Sequence, residues 1–254
     1  MIIDSHAHLD DSAFNEDREE LIEKLKDQGI SHVMNISAGL ASARTSLALA
    51  KKYDFIYTSM GVHPCETGEL TEENFTEIIS YLTEEKVKAI GEIGLDYYWN
   101  EPERELQQYW FRRQLQLAHE YNLPVIIHSR DAAADTYRIM KEERAADLKG
   151  VIHCYSYTKE TARDYLQWNY YFGIGGVITF QNAKKLKEAV EYIPLENILL
   201  ETDSPYLSPV PYRGKRNSPL NLPFVAEEIA KIKGISAQEV IKVTTENTKK
   251  LYGL

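Results

Sequence analysis

Short runs of apolar and β-branched residues alternate along the chain with longer segments in which apolar residues recur three and four positions apart. The short runs have the length of strands, and the longer segments have the period of amphipathic helices. The pattern predicts eight strands, over residues 2–8, 32–37, 55–60, 87–93, 124–128, 151–154, 170–174 and 197–202.

Helical segments separate these strands, and two more close the chain. The predicted helices cover 16–28, 41–53, 71–85, 101–121, 131–144, 159–167, 182–192, 222–233 and 237–251. Pro102 falls in the first turn of the fourth helix, where a missing N–H costs little, and Ser236 with Glu239 forms a capping box. Eight strands alternating with helices predict a (β/α)8 TIM barrel. A doubly wound sheet is the alternative, but no Gly-X-Gly-X-X-Gly follows any strand.

Composition narrows the class of protein. The 254 residues are 43% hydrophobic and 27% charged, and no Gly/Ser/Pro-rich linker divides them, so we expect one domain over residues 1–254. The first residues lack the basic start and small-residue cleavage site typical of a signal peptide, no apolar run approaches membrane length, and Cys65 and Cys154 lie far apart. We therefore expect a cytoplasmic protein with reduced cysteines, no membrane partner and a monomeric state.

The net charge of −10 argues against adhesion to nucleic acid over the whole surface. A locally basic groove is still compatible with it. Metal ions bound by acidic ligands are compatible with it as well.

Histidines and acids close several predicted strands, directly after apolar runs. His6 and His8 are two residues apart, so in a strand they face the same side. The complete group is His6, His8, Glu92, His128, His153 and Asp203. The carboxyl ends of barrel strands meet at one mouth, and a buried ionisable group is costly unless it is paired or coordinates an ion. Six such residues at one mouth indicate a metal centre rather than satisfied core residues.

Four imidazoles and two carboxylates are too many ligands for one tetrahedral zinc and suit two divalent ions that share a bridging carboxylate. Glu92 is the expected bridge, and Asp203 is expected to ligate one ion and take a proton from the attacking water. Water at such an ion reaches a pKa near ~7. The residues therefore predict a two-metal hydrolase that uses Mg, Mn or Zn, since histidine suits Zn or Mn and phosphoryl chemistry often uses Mg.

The motifs along the chain resemble those of the TatD family of metal-dependent deoxyribonucleases, within the amidohydrolase superfamily. The matching segments are DSHAHLD at 4–10, GVHP at 61–64, GEIGLDY at 91–97, PVIIHSR at 124–130, HCYS at 153–156, ETDSPYL at 201–207 and RGKRN at 213–217, followed by Pro219. One departure is Tyr155, where the family more often has Phe; both are aromatic.

The resemblance implies a TIM barrel, a divalent metal centre at the six residues above, and hydrolysis of DNA phosphodiester bonds in the manner of a 3′–5′ exonuclease. DNA would then be the substrate partner. A metal-dependent amidohydrolase, deaminase or lactonase acting on a small molecule is the alternative. A non-catalytic metal-bound scaffold is a third hypothesis, against which the Glu92 and Asp203 pair argues.

Two further residues lie near the predicted mouth. His63 follows strand three, where it could donate to a substrate phosphate or shuttle a proton; ordering of its loop is the alternative. Arg130, two residues past His128, could bind a phosphate bidentately. Its alternative is an ion pair with an acid such as Asp131.

The proline-rich segment 204–219 is predicted to be a stiffened basic loop after strand eight. Arg213, Lys215 and Arg216 could hold the DNA backbone, and Tyr206 or Tyr212 could stack on a base. A solvated basic loop is the competing interpretation.

Two other acids are expected to support the ligands. Asp10 and Asp96 are predicted to fix histidine tautomers near the mouth. Glu201 either shares the face of Asp203 or is buried inside the barrel, and the sequence leaves this open.

Overall fold

The computed structural model describes residues 1–99 and 101–254, and in it eight strands follow chain order in one sheet and alternate with helices. This is the (β/α)8 TIM-barrel fold, as predicted. The strands are β1 Ile2–Ala7, β2 Ile30–Asn35, β3 Ile56–Met60, β4 Val87–Asp96, β5 Val125–Arg130, β6 Gly150–Ile152, β7 Tyr171–Ile174 and β8 Ile198–Leu200.

The helices lie close to their predicted positions. They are α1 Arg18–Asp27, α2 Leu40–Lys52, α3 Glu72–Tyr81, α4 Arg104–Tyr121, α5 Ala133–Glu142, α6 Lys159–Leu166, α7 Lys184–Tyr192, α8 Leu222–Lys233 and α9 Ala237–Tyr252. The start of α4 was predicted wrongly, because Glu103 is its N-cap and Pro102 precedes the helix. The Ser236 hydroxyl accepts from the Glu239 N–H, which is one of the two hydrogen bonds of the predicted capping box. Among the described residues, no helix is long and apolar enough to cross a membrane.

The chain divides into two compact units. The first unit comprises 1–35 with 154–254, and the second unit comprises 36–153. In the first unit β1 pairs in parallel with β2, and β7 pairs in parallel with β8. A parallel bridge between Ala7 and Ser204 places the segment after β8 alongside the end of β1.

Buried Asp4 ties β1 to the segment after β8 inside the first unit. Its carboxylate accepts from the Thr202 N–H at 3.0 Å and from the Thr202 hydroxyl at 2.5 Å. Burial raises the pKa of Asp4 to about 7, although these hydrogen bonds act in the opposite direction.

In the second unit β4 is flanked in parallel by β3 and β5, and β6 pairs with β5. Gly94 lies directly opposite His128 in the β4–β5 register. It has a φ of +144°, and a Cβ at this position would lie 1.9 Å from the His128 carbonyl oxygen. Glycine at this position therefore allows β4 to approach the strand that carries His128.

We predict that Gly94→Ala lowers the free energy of unfolding by more than about 2 kcal/mol, because both the backbone and the close contact oppose a side chain. Urea denaturation measures this. Gly68→Ala is the matched control, since its Cβ would lie 3.7 Å from the nearest atom, on Pro102. Equal stability of the two variants would contradict the prediction.

Candidate metal centre

The first set of candidate ligands lies in the first unit and consists of His6, His8 and Asp203. The two Nε2 atoms are 3.2 Å apart. The Asp203 Oδ1 atom is 3.8 Å from the Nε2 of His6 and 3.4 Å from that of His8. Three of the six predicted ligands are therefore brought together here.

Backbone hydrogen bonds hold the first set. The Asp203 N–H donates to the His6 carbonyl at 2.9 Å, and the His8 N–H donates to the Ser204 carbonyl at 2.8 Å. Asp203 has a φ of +54°, in the left-handed region that aspartate tolerates better than most residues. These bonds bring residues 6–8 and 203–204, which are distant in sequence, to the same ligand set.

Asn35, at the end of β2, orders the segment that follows His8. Its Oδ1 accepts from the Leu9 N–H at 2.5 Å, and its Nδ2 donates to Asp10 Oδ1 at 2.9 Å. Asp10, expected to fix a histidine tautomer, thus accepts a hydrogen bond from Asn35. Sequence reasoning missed Asn35, and its only signal was a polar residue closing an apolar strand.

The second set lies in the second unit, around one oxygen of Glu92. Its Oε1 atom is 2.7 Å from His128 Nδ1, 3.7 Å from His153 Nε2 and 3.8 Å from His63 Nε2. Glu92 is 3% exposed, so this carboxylate is almost removed from water. The other three predicted ligands, Glu92, His128 and His153, therefore meet here, and His63 joins them.

Asp96, at the end of β4, holds the far side of the His128 ring, with Oδ2 3.0 Å from Nε2. Burial acts to raise the pKa of Asp96, but hydrogen bonds from His128 and the Trp99 N–H outweigh it, and the pKa lies below its usual value. Burial acts to lower the pKa of His128, but Asp96 and Glu92 outweigh it and the pKa is raised. A carboxylate that binds one ring nitrogen fixes the tautomer and leaves the other nitrogen for a metal, which is the role expected of Asp96.

His63 caps the short turn that follows β3. Its Nδ1 accepts from the Cys65 N–H at 3.2 Å. A neutral imidazole has one acceptor nitrogen and one donor nitrogen. The Nδ1 contact therefore favours the tautomer in which His63 carries its proton on Nε2, facing Glu92.

Glu201 is 1% exposed and lies in the first unit, where its Oε1 accepts from the Cys154 N–H at 2.7 Å. A Cβ on Gly173 would lie 1.9 Å from Glu201 Oε2, so the glycine makes room for this carboxylate. The side chain is buried, and one of its carboxylate oxygens also lies within 4.8 Å of a ring nitrogen of His6.

The basic residues of the loop after β8 are exposed. Arg216 forms a bidentate ion pair with Asp17, with one nitrogen 2.7 Å from Oδ1, and also donates to the Ala13 carbonyl. The guanidinium of Arg213 lies 4.2 Å from the centre of the Phe180 ring.

Lys215 and the loop tyrosines complete this region. The Lys215 ammonium is 5.9 Å from the centre of the Tyr212 ring. The Tyr206 hydroxyl donates to Asp11 at 2.8 Å, and its ring centre is 6.4 Å from that of His8. Tyr206 therefore borders the first set.

Arg130 is exposed at the end of β5, in register with Asp96. Over residues 1–99 and 101–254, no carboxylate forms an ion pair with it, so the alternative pairing with Asp131 is not observed. Its guanidinium instead lies over the ring of Tyr98, at 3.9 Å from the centre.

Both sets fit a divalent ion. Two imidazole nitrogens 3.2 Å apart, or an imidazole nitrogen 2.7 Å from a carboxylate oxygen, must share a proton or a cation. In the first set the candidate atoms of His6, His8 and Asp203 lie within 4.8 Å of one another. In the second set Glu92 Oε1 lies 2.7 Å from His128 Nδ1 and 3.7 Å from His153 Nε2. Imidazole and carboxylate are the donors that Zn and Mn accept.

Comparison with known proteins agrees with this chemistry. The sequence profile of the family described as TatD related DNase matches residues 3–253. The chain belongs to the TatD family. It is 42% identical over 252 residues, 99% of each chain, to the Bacillus subtilis protein named uncharacterized metal-dependent hydrolase YabD.

Two other TatD relatives are similar over nearly the whole chain. The Mycobacterium tuberculosis protein named uncharacterized metal-dependent hydrolase TatD is 32% identical and matches 100% of this chain and 98% of its own. The crystal structure of YJJV, a TatD homolog from Escherichia coli K12, superposes with a TM-score of 0.94 at 29% identity, covering 100% of this chain and 98% of its own. This TatD protein is therefore a metal-dependent hydrolase with the fold predicted from its sequence.

We predict that Asp96→Asn lowers the affinity for Mn²⁺ or Zn²⁺ about 10-fold or more. The Asn amide would place a donor against His128 Nε2–H and release the ring. Competition with a chromophoric chelator measures the affinity. Asp135→Asn, which removes a carboxylate bound to Tyr97 and Arg138, is the control and should bind metal like wild type. Wild-type affinity in Asp96→Asn would contradict the assigned role.

Proposed function

We propose that the chain is a two-metal deoxyribonuclease that hydrolyses DNA phosphodiester bonds, with one divalent ion in each ligand set. The observation that carries the choice of substrate is Arg130, an exposed guanidinium two residues past His128 and opposite Asp96 in the β4–β5 register. A phosphate matches its paired N–H donors. The family description, TatD related DNase, supports the same choice.

The proposed chemistry divides between the ions and the protein. Bound divalent ions would polarise the phosphoryl oxygen and lower the pKa of water. Asp203 is 17% exposed and the most accessible carboxylate of the two sets, so it is suited to take the proton of the attacking water. That Glu92 bridges the two ions stays a prediction.

His63 is proposed to act as a proton donor rather than as a ligand. Because its Nδ1 accepts from the Cys65 N–H, the Nε2 proton is directed towards the second set. From there it can reach a phosphate oxygen or the leaving group. Arg213, Lys215 and Arg216 of the loop are proposed to bind the DNA backbone, with Tyr206 beside the first set.

A metal-dependent amidase, deaminase or lactonase for a small molecule is the second candidate. The observation that favours it is the ion pair of Arg216 with Asp17, which already satisfies one of the three loop cations. A small substrate needs fewer cations than a DNA backbone does.

Cleavage of end-labelled single-stranded DNA by chelator-stripped protein, resupplied with Mg²⁺ or Mn²⁺, tests the proposal. We expect metal-dependent shortening of the strand. Asp203→Asn should slow it by at least about 100-fold, since it removes the proposed base. Asp27→Asn, at the exposed end of α1, is the control and should retain wild-type activity.

Intact DNA with metal-loaded wild type would contradict the DNase proposal. Small amides, lactones and phosphoesters would then be screened with the same variants. Turnover of one of these, lost in Asp203→Asn, would establish the second candidate.

A further inference from the structure

We propose that Tyr98, Trp99 and Arg130, here called the aromatic platform, bind an unpaired nucleobase of the substrate together with its phosphate. The platform lies where β4 and β5 end, in the second unit. Its role rests on the proposed deoxyribonuclease function and specifies the form of DNA that the enzyme accepts.

Two large aromatic side chains are exposed side by side. Tyr98 is 55% exposed and Trp99 is 63% exposed. Their ring centres are 5.0 Å apart at an interplanar angle of 88°. Single exposed apolar side chains are common, but adjacent exposed aromatic rings beside a functional site indicate a binding surface.

Arg130 gives this surface its chemical selectivity. Its guanidinium lies 3.9 Å from the Tyr98 ring centre and 5.9 Å from the Trp99 ring centre. A guanidinium stacked on an aromatic face keeps its in-plane N–H donors available for a phosphate. An aromatic face next to such a cation matches a base and a phosphate of one nucleotide.

Asp96 anchors the platform to the second ligand set. Its Oδ1 accepts from the N–H groups of Tyr98 and Trp99, at 3.0 and 3.2 Å. Its Oδ2 is the atom that binds His128 Nε2, at 3.0 Å. One buried carboxylate thus positions both the backbone of the platform and a metal ligand, so a stacked base would be held at a constant place relative to His128.

The platform predicts a preference for single strands and frayed ends, because a base in a duplex is already stacked and paired. Base–aromatic stacking corresponds to about 5- to 150-fold in affinity per base. The effect is expected in KM, since the platform contacts a base and not the scissile bond.

The experiment compares wild type, Trp99→Leu, Trp99→Phe and Tyr109→Leu on single-stranded DNA. Tyr109 is the matched control, an aromatic residue of the same unit that is 50% exposed and contacts Trp110. We expect Trp99→Leu to raise KM about 10-fold with kcat within twofold. We expect Trp99→Phe to keep a KM close to that of wild type, because it retains an aromatic ring, and Tyr109→Leu to have the wild-type KM.

A second experiment uses a series of single strands, each with one abasic residue at a different position near the cleaved bond. In wild type one such position should raise KM about as much as Trp99→Leu does, and in Trp99→Leu that position should have no further effect. If wild type cleaves DNA but Trp99→Leu keeps the wild-type KM and the wild-type response to abasic residues, the proposed role of the aromatic platform is wrong. The deoxyribonuclease proposal is unaffected by that result.

If wild type does not cleave DNA, the proposed function fails and fluorescence still tests the platform. Trp110 is 2% exposed, so Trp99 is the more accessible fluorophore of these two. Quenching by short oligothymidylate that is lost in Trp99→Phe would support base stacking. Unchanged fluorescence at saturating oligonucleotide would overturn it.

Discussion

A buried carboxylate oxygen is the constraint around which the second unit is arranged. Glu92 Oε1 is approached by imidazole nitrogens from three directions, and its side chain is almost inaccessible to water. An ionised group in such a place is stable only when it is paired or binds a cation. The strands of the second unit hold the histidines near this oxygen, and Gly94 leaves room for β4 to approach the strand that carries His128.

In the first unit the candidate ligands are also held close together, but there backbone hydrogen bonds hold them. His6 and His8 come from one strand, and Asp203 reaches them because backbone hydrogen bonds join β1 to the chain after β8. Asp4 and Asn35 then hold the two flanks of this junction by side-chain hydrogen bonds. Each ligand set is therefore built within its own unit, by residues that are not themselves ligands.

Much of this could be predicted from sequence, because the signal is periodic and local. Apolar runs that end in His or an acid located the strands, and the carboxyl ends of barrel strands are where ligands collect. The helix α8 was predicted to the residue. The beginning of α4 was not, because Pro102 is compatible with both the first turn and the segment before it.

Other features depend on contacts between distant positions, which no local pattern reveals. Arg216 forms an ion pair with Asp17, 199 residues away in sequence, and the sequence of the basic loop did not predict this pair. The contact of Asp96 with His128 could be located only once the register between β4 and β5 was known. Its contacts with the N–H groups of Tyr98 and Trp99 could be located only once the end of β4 was known. Sequence reasoning placed base stacking at Tyr206 or Tyr212, and the exposure of Tyr98 and Trp99 became visible only once the end of β4 was located.

We propose that each of the two ligand sets holds one divalent ion. The most direct test is the metal content of metal-loaded protein, by native mass spectrometry, for wild type and for the His6→Ala/His8→Ala double variant. We expect two divalent ions per chain in wild type and one in the variant, whose second set is intact. A single ion in wild type, or two ions retained in the variant, would contradict it.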